Sequence, residues 1–195
     1  MQKILLVTDI FGDSTQLRET LSCIGVNAIV VSPYSECKTF SNEAEAYQAF
    51  LATGGLDAYY RRLLQTISQH KVDDFRLIVG FSAGAAALWR YVCSDHAAGL
   101  AQDLEAWLYY GGQIRHELDL LPKINTVLRW SLETQFDVWQ CHQAMQNKAL
   151  VESSVLPYQH GFINPQSKGF IAHAAADFWM TLEAYLQDSL QVSVA

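Results

Sequence analysis

Charge is scarce in this chain of 195 residues, and positive charge most of all. Charged residues make up 17% of it, with 13 Lys and Arg against 20 Asp and Glu, for a formal net charge of −7. Arg61-Arg62, in a helix-like segment, is the one adjacent basic pair. A nucleic-acid groove needs clustered cations to replace phosphate counterions, so nucleic acid is excluded as a partner. Cysteine is sparse too: Cys23, Cys37, Cys93 and Cys141 are widely spread, and no C-x-x-C pair occurs. A zinc site is therefore not expected, nor any other metal. No apolar run reaches the ~20 residues needed to cross a bilayer, so no membrane association is expected. The run that opens the chain is too short for a signal peptide and is followed by Asp9. Together these absences predict a cytoplasmic, reducing setting with free thiols. Neither G-x-G-x-x-G nor a P-loop lysine follows the first apolar run, which counts against a nucleotide-binding domain.

What the chain does have is apolar residues, 50% of the total. That suits a compact protein with well-buried strands. Six runs read as strands: 3–8, 27–32, 75–80, 104–110, 126–131 and 154–158. Most are continuously apolar, as strands covered on both faces are. Helical patterns fill the gaps at 14–24, 41–52, 56–70, 83–94, 138–150 and 171–190. In the last of these Ala175, Phe178, Trp179, Leu182, Tyr185 and Leu186 form one stripe. The alternation predicts an α/β protein with a mostly parallel six-stranded sheet. No repeat, low-complexity segment or long linker divides the chain, so residues 1–195 are expected to form a single domain.

The third apolar run ends in Gly80-Phe81-Ser82-Ala83-Gly84 and opens into the small-residue helix pattern Ala85-Ala86-Ala87. Gly-x-Ser-x-Gly between a strand and a helix is the setting of a nucleophile elbow. The serine sits on a sharp turn that lifts its hydroxyl above the sheet. The start of the helix offers backbone N–H groups with no helical partner, suited to a developing oxyanion. A serine hydroxyl is a poor nucleophile until a base takes its proton. His160 fits that role, because it follows the last strand and precedes the last helix, on the sheet edge that Ser82 also occupies. His70, His142 and His173 lie in helix patterns, and His96 and His116 precede the final strands.

These residues carry a resemblance. The chain resembles a short member of the dienelactone hydrolase family, within the α/β-hydrolase fold. Asp9-Ile10-Phe11-Gly12 is similar to the family's acidic-Ile-Phe-Gly motif, and Gly80–Gly84 to its elbow. Tyr109-Tyr110-Gly111-Gly112 is similar to its Tyr-Gly motif, and His160-Gly161-Phe162 to its catalytic histidine motif. The resemblance implies a three-layer fold lacking the family's first two strands, with strand order 2-1-3-4-5-6. It implies that Ser82 attacks a carbonyl and that His160 is base, then acid. It also implies an oxyanion hole from the N–H groups of Ile10 and Ala83, with Asp9 near the resting nucleophile. Two departures stand out. The nucleophile is Ser82 where dienelactone hydrolases proper have cysteine, and Asn164 stands where dienelactone-cleaving members have arginine.

The family's third triad member is an aspartate after the fifth strand. Here the sequence reads Leu132-Glu133-Thr134-Gln135-Phe136-Asp137. Glu133 and Asp137 are both candidates, Glu133 ahead, and a glutamate is an accepted acid in such triads. Phe11, Phe81, Tyr110, Trp130, Phe136 and Phe162 lie near the expected catalytic edge and are candidates to line an apolar pocket. The reading that follows is a serine hydrolase for a small-molecule ester, thioester or lactone, working through an acyl-enzyme without a cofactor. The alternative is a catalytically weak or inactive binding module on the same fold. A homodimer is left open.

Overall fold

The computed structural model describes residues 3–70, 75–100 and 103–192. Its centre is a six-stranded sheet of β1 (Lys3–Val7), β2 (Ala28–Val31), β3 (Phe75–Phe81), β4 (Glu105–Tyr109), β5 (Asn125–Leu132) and β6 (Val151–Gln159). The order is β2-β1-β3-β4-β5-β6 and every neighbouring pair is parallel. This is the expected order, with the sheet wholly rather than mostly parallel.

Period-two alternation divides the apolar residues between two faces. Ile4 and Leu6 of β1, Leu77, Val79 and Phe81 of β3, and Trp107 and Tyr109 of β4 point to one side. There they meet α1 (Thr15–Cys23) through Leu21 and α6 (Ala172–Val192) through Ala175, Phe178 and Leu182. Leu5, Val7, Ile78, Ala106 and Leu108 point to the other side. That side is covered by α2 (Glu43–Ala52), α3 (Gly55–Ser68), α4 (Ala83–Cys93) and α5 (Val138–Met145). Helix starts follow local chemistry: Ser14 accepts from the Leu17 N–H before α1, and Asn42 from the Glu45 N–H before α2.

Two boundaries differ from the expectation by more than two residues. The helix expected over 138–150 ends at Met145, and β6 begins at Val151 rather than residue 154. Leu150 has φ 63°, which turns the chain into the strand. The first half of β6 is polar because it is an edge strand. Its side chains are anchored across β5, Glu152 by Arg129 and Ser153 by the Trp130 indole at 3.0 Å.

α4 lies at the centre of the molecule, and Ala83–Trp89 are all buried. It presses on the end of β1 at Gly84, where a Cβ would fall well inside contact distance of the Val7 and Thr8 carbonyl oxygens. Backbone cannot yield as a side-chain tip can. Gly84→Ala is therefore expected to cost roughly 1–3 kcal/mol, the usual range for an overpacked core. Urea unfolding checks this: the midpoint should fall, and a wild-type midpoint would contradict the close approach.

Candidate active site

The strand order brings the carboxyl ends of β1, β3, β5 and β6 to one edge, and a loop from each contributes to one site. Ser82 sits at the tip of the β3–α4 turn with φ 50° and ψ −114°, outside the regions open to ordinary residues. The turn is tied on both sides: the Ser82 N–H donates to the Tyr109 carbonyl at 3.0 Å, and the Ala86 N–H to the Ser82 carbonyl at 3.1 Å.

His160 follows β6 directly. Between the pairs Trp130–Val155 and Leu132–Gln159, β6 advances four residues while β5 advances two, so β6 carries a bulge around Leu156-Pro157-Tyr158. Pro157 lacks the N–H a regular ladder would need and suits that position. Gly161 then turns the chain at φ 78°, where a Cβ would strike the Ser167 side chain. His160 Nε2 lies 2.8 Å from Ser82 Oγ, and Tyr110 packs edge-on against the imidazole at 5.2 Å.

Glu133 follows β5, and its Oε1 lies 2.8 Å from His160 Nδ1. The same oxygen accepts from Ser131 Oγ at 2.7 Å. A carboxylate can only accept here, so Nδ1 carries the ring proton and Nε2 is free to accept from the Ser82 hydroxyl. Burial raises the Glu133 pKa, but the bonds from His160 and Ser131 and the charges of His160 and Arg115 outweigh it. The net direction is below the ordinary glutamate value, which keeps Glu133 ionised. Asp137, the other candidate, does not face the histidine. It caps α5, accepting from the Trp139 and Gln140 N–H groups at 2.9 and 3.2 Å.

Asp9, after β1, is buried. Its Oδ1 accepts from the Phe11 N–H at 3.0 Å and its Oδ2 from the Asn164 amide at 2.7 Å. Burial raises its pKa despite those bonds and despite His160 nearby. Ile10, on the same loop, is held through its carbonyl by the Tyr34 hydroxyl at 2.7 Å. Among the described residues the N–H groups of Ile10 and Ala83 have no hydrogen-bond partner, and both residues line the cavity that contains Ser82.

That cavity is about 640 Å³, the size of a small-molecule site. Asp9, Ile10, Phe11, Ser82, Ala83, Glu133, Phe136 and His160 all line it. Phe81, Tyr110, Phe162 and Trp130, expected near it, do not. Phe81 and Tyr110 instead border a separate cavity of about 260 Å³ on the α1–α6 side. Phe162 and Trp130 are core residues. For Phe81 the reason is the strand period: it continues Leu77 and Val79, so it points towards α6. Residues that the sequence did not single out complete the wall. Glu43, Ala44, Tyr47 and Phe50 come from α2, and Arg115, over the Phe136 ring at 4.8 Å, from the segment after β4. Among the described residues no cluster of His, Cys, Asp or Glu could hold a metal, and no helix is long and apolar enough to cross a membrane.

The raised pKa of Asp9 makes a prediction about stability. When a carboxyl's folded pKa lies above its unfolded value, stability is lost as pH rises through the folded pKa. Below the unfolded value, near ~3.9, the burden is gone. Asp9→Asn removes the ionisable group. Its unfolding free energy relative to wild type should rise from pH 4 to pH 7 in urea titrations. A difference that stays constant across that range would contradict the account.

No family model and no curated protein matches the sequence. Solved structures do match. One, described as a predicted CIB-like hydrolase from Thermoplasma acidophilum, is 12% identical with a TM-score of 0.56, over 96% of this chain and 86% of that one. Another is a hormone-sensitive lipase from a metagenome library, 15% identical with a TM-score of 0.50, over 96% of this chain and 78% of that one. At such identities the likeness concerns architecture, and with the strand order it gives the conclusion that this chain has the α/β-hydrolase fold.

Proposed function

We propose that the protein is a serine hydrolase that cleaves an ester, thioester or lactone of a small molecule through an acyl-enzyme. The observation that carries this reading is the hydrogen-bonded chain Ser82 Oγ–His160 Nε2–His160 Nδ1–Glu133 Oε1, with both links at 2.8 Å. It has the geometry of a nucleophile, a base and a group that orients the base.

Ser82 Oγ attacks the substrate carbonyl carbon as its proton passes to His160 Nε2. The new O–C bond pushes the carbonyl electrons onto oxygen. The Ile10 and Ala83 N–H groups receive that charge, with no reorganisation needed at the moment of reaction. Collapse breaks the bond to the leaving oxygen or sulfur, which takes the proton back from His160. Water then attacks the acyl-enzyme, His160 takes its proton, and Ser82 is released with a carboxylic acid. Glu133 holds the imidazole in the tautomer that accepts at Nε2 and stabilises the imidazolium. No step calls for a metal or an organic cofactor.

Within this class the motifs around Asp9 and His160 favour a dienelactone hydrolase-like enzyme. The Asn164 amide is bonded to Asp9 and carries no charge to hold a substrate carboxylate. The partner is then a small ester or lactone, and a cytoplasmic setting is part of the same proposal.

Hydrolysis of short p-nitrophenyl esters tests the reading. Ser82→Ala should abolish turnover with little change in stability, and His160→Ala should cost about as much. Glu133→Gln should lower kcat by ~10⁴, the scale of losing the orienting acid. Asp137→Asn should leave the rate alone. Wild-type activity that survives Ser82→Ala, or equal effects at Glu133 and Asp137, would overturn the assignment.

A further inference from the structure

The loop that carries His160 is not held by its own turns alone. Residues 160–169 fold back on themselves, the Asn164 N–H donating to the Gly161 carbonyl and the Ser167 N–H to the Asn164 carbonyl, each at 2.9 Å. Two carboxylates from elsewhere in the chain then pin the loop. One is Asp9, bonded to the Asn164 amide. The other is Glu43, from the first turn of α2. Its Oε1 accepts from Ser167 Oγ at 2.7 Å and from the Lys168 N–H at 2.9 Å. Ser167 is only 8% exposed, and its oxygen lies 3.3 Å from the His160 carbonyl. The chain of contact therefore runs Glu43–Ser167–His160 backbone, with the imidazole at its end.

From this geometry we infer that Glu43 is a positioning residue for His160, acting through Ser167. The inference rests on the hydrolase reading above. Without the Glu43 acceptor, the Ser167 hydroxyl keeps only the longer contact to the His160 carbonyl, the exposed Lys168 N–H turns to water, and the loop loses its tie to α2. A small displacement is enough to matter. The base must stay within hydrogen-bond reach of Ser82 Oγ, and a misplacement of ~1 Å can cost ~10²-fold in rate. Glu43 is also well placed to couple two parts of the site, since Ala44, Tyr47 and Phe50 of the same helix form one wall of the cavity. Fixing α2 to the histidine loop fixes that wall against the catalytic groups.

The test separates hydrogen bonding from charge and from substrate contact. Glu43→Ala should lower kcat for short p-nitrophenyl esters by roughly tenfold to hundredfold with KM nearly unchanged. Glu43→Gln should recover most of the loss, because the amide oxygen still accepts from both donors. Ser167→Ala should reproduce the Glu43→Ala defect. The double variant should be no worse than either single one, as expected for residues acting on the same link. If Glu43→Ala does not fold, Ser167→Ala with Glu43→Gln carries the same comparison. A kcat unaffected by Glu43→Ala, a Glu43→Gln variant as slow as Glu43→Ala, a change confined to KM, or additive losses in the double variant would each overturn the inference. The NMR signal of the His160 Nδ1 proton, shared with Glu133, gives a readout independent of turnover. It should shift or broaden in Glu43→Ala and return in Glu43→Gln. An unchanged signal in Glu43→Ala would refute the positioning role. A wild-type protein that hydrolyses nothing while showing the expected NMR pattern would sink the hydrolase reading alone.

Discussion

The backbone at Ser82 is the constraint on which the rest of the site depends. A non-glycine residue at φ 50° and ψ −114° is strained, by ~1–3 kcal/mol in general, and persists only where its surroundings over-determine it. Here they do. The turn is bonded to the end of β4 on one side and to the first turn of α4 on the other. α4 cannot shift to relieve it, because Ala83–Trp89 are buried and Gly84 already touches the β1 backbone. The core therefore holds the strain, and the strain raises the serine hydroxyl above the sheet. The same approach of α4 to β1 sets the Ala83 N–H and the Asp9–Ile10 loop beside one cavity.

Everything else at the site is arranged to meet that hydroxyl. Strand order alone brings β5 and β6 to the same edge, and the β6 bulge with Pro157 turns the chain so that His160 faces Ser82. The loops are then cross-linked to one another. Tyr34 fixes the carbonyl of Ile10, Asp9 holds Asn164, and Glu43 holds Ser167. Each link joins residues far apart in sequence through a buried or half-buried polar group. Such groups cost free energy when left unpaired, so the links are specific as well as stabilising. Asp9 shows the tension in this design. Burial disfavours its charge, yet the same side chain holds Asn164 in the loop that carries His160.

The architecture was largely legible in the sequence because strand period and helix period are local signals. The continuous apolar runs mark buried parallel strands, and the glycines around Ser82 mark a close approach. What failed to show was set by long-range packing. The polar start of β6, Glu152-Ser153, hides the strand's beginning because an edge needs no second apolar face. Glu133 bonds His160 and Asp137 does not, because Asp137 is a helix cap. Asp137 stands directly before a helical pattern, the position where an aspartate bonds backbone N–H groups, and that signal was present in the sequence. Phe81 was likewise readable, since the period of β3 assigns it to the α6 side. By contrast, nothing local in α2 announces that Glu43 reaches residues 124 positions later. That contact exists only once the sheet has closed.

The most direct measurement is treatment of the native protein with a fluorophosphonate, followed by mass spectrometry of its peptides. An activated serine forms a stable phosphonyl ester, and an unactivated one does not. The account predicts a single adduct, located on Ser82 and absent from the His160→Ala variant. Full-length protein that carries no adduct, or an adduct on another serine with Ser82 unmodified, would contradict it.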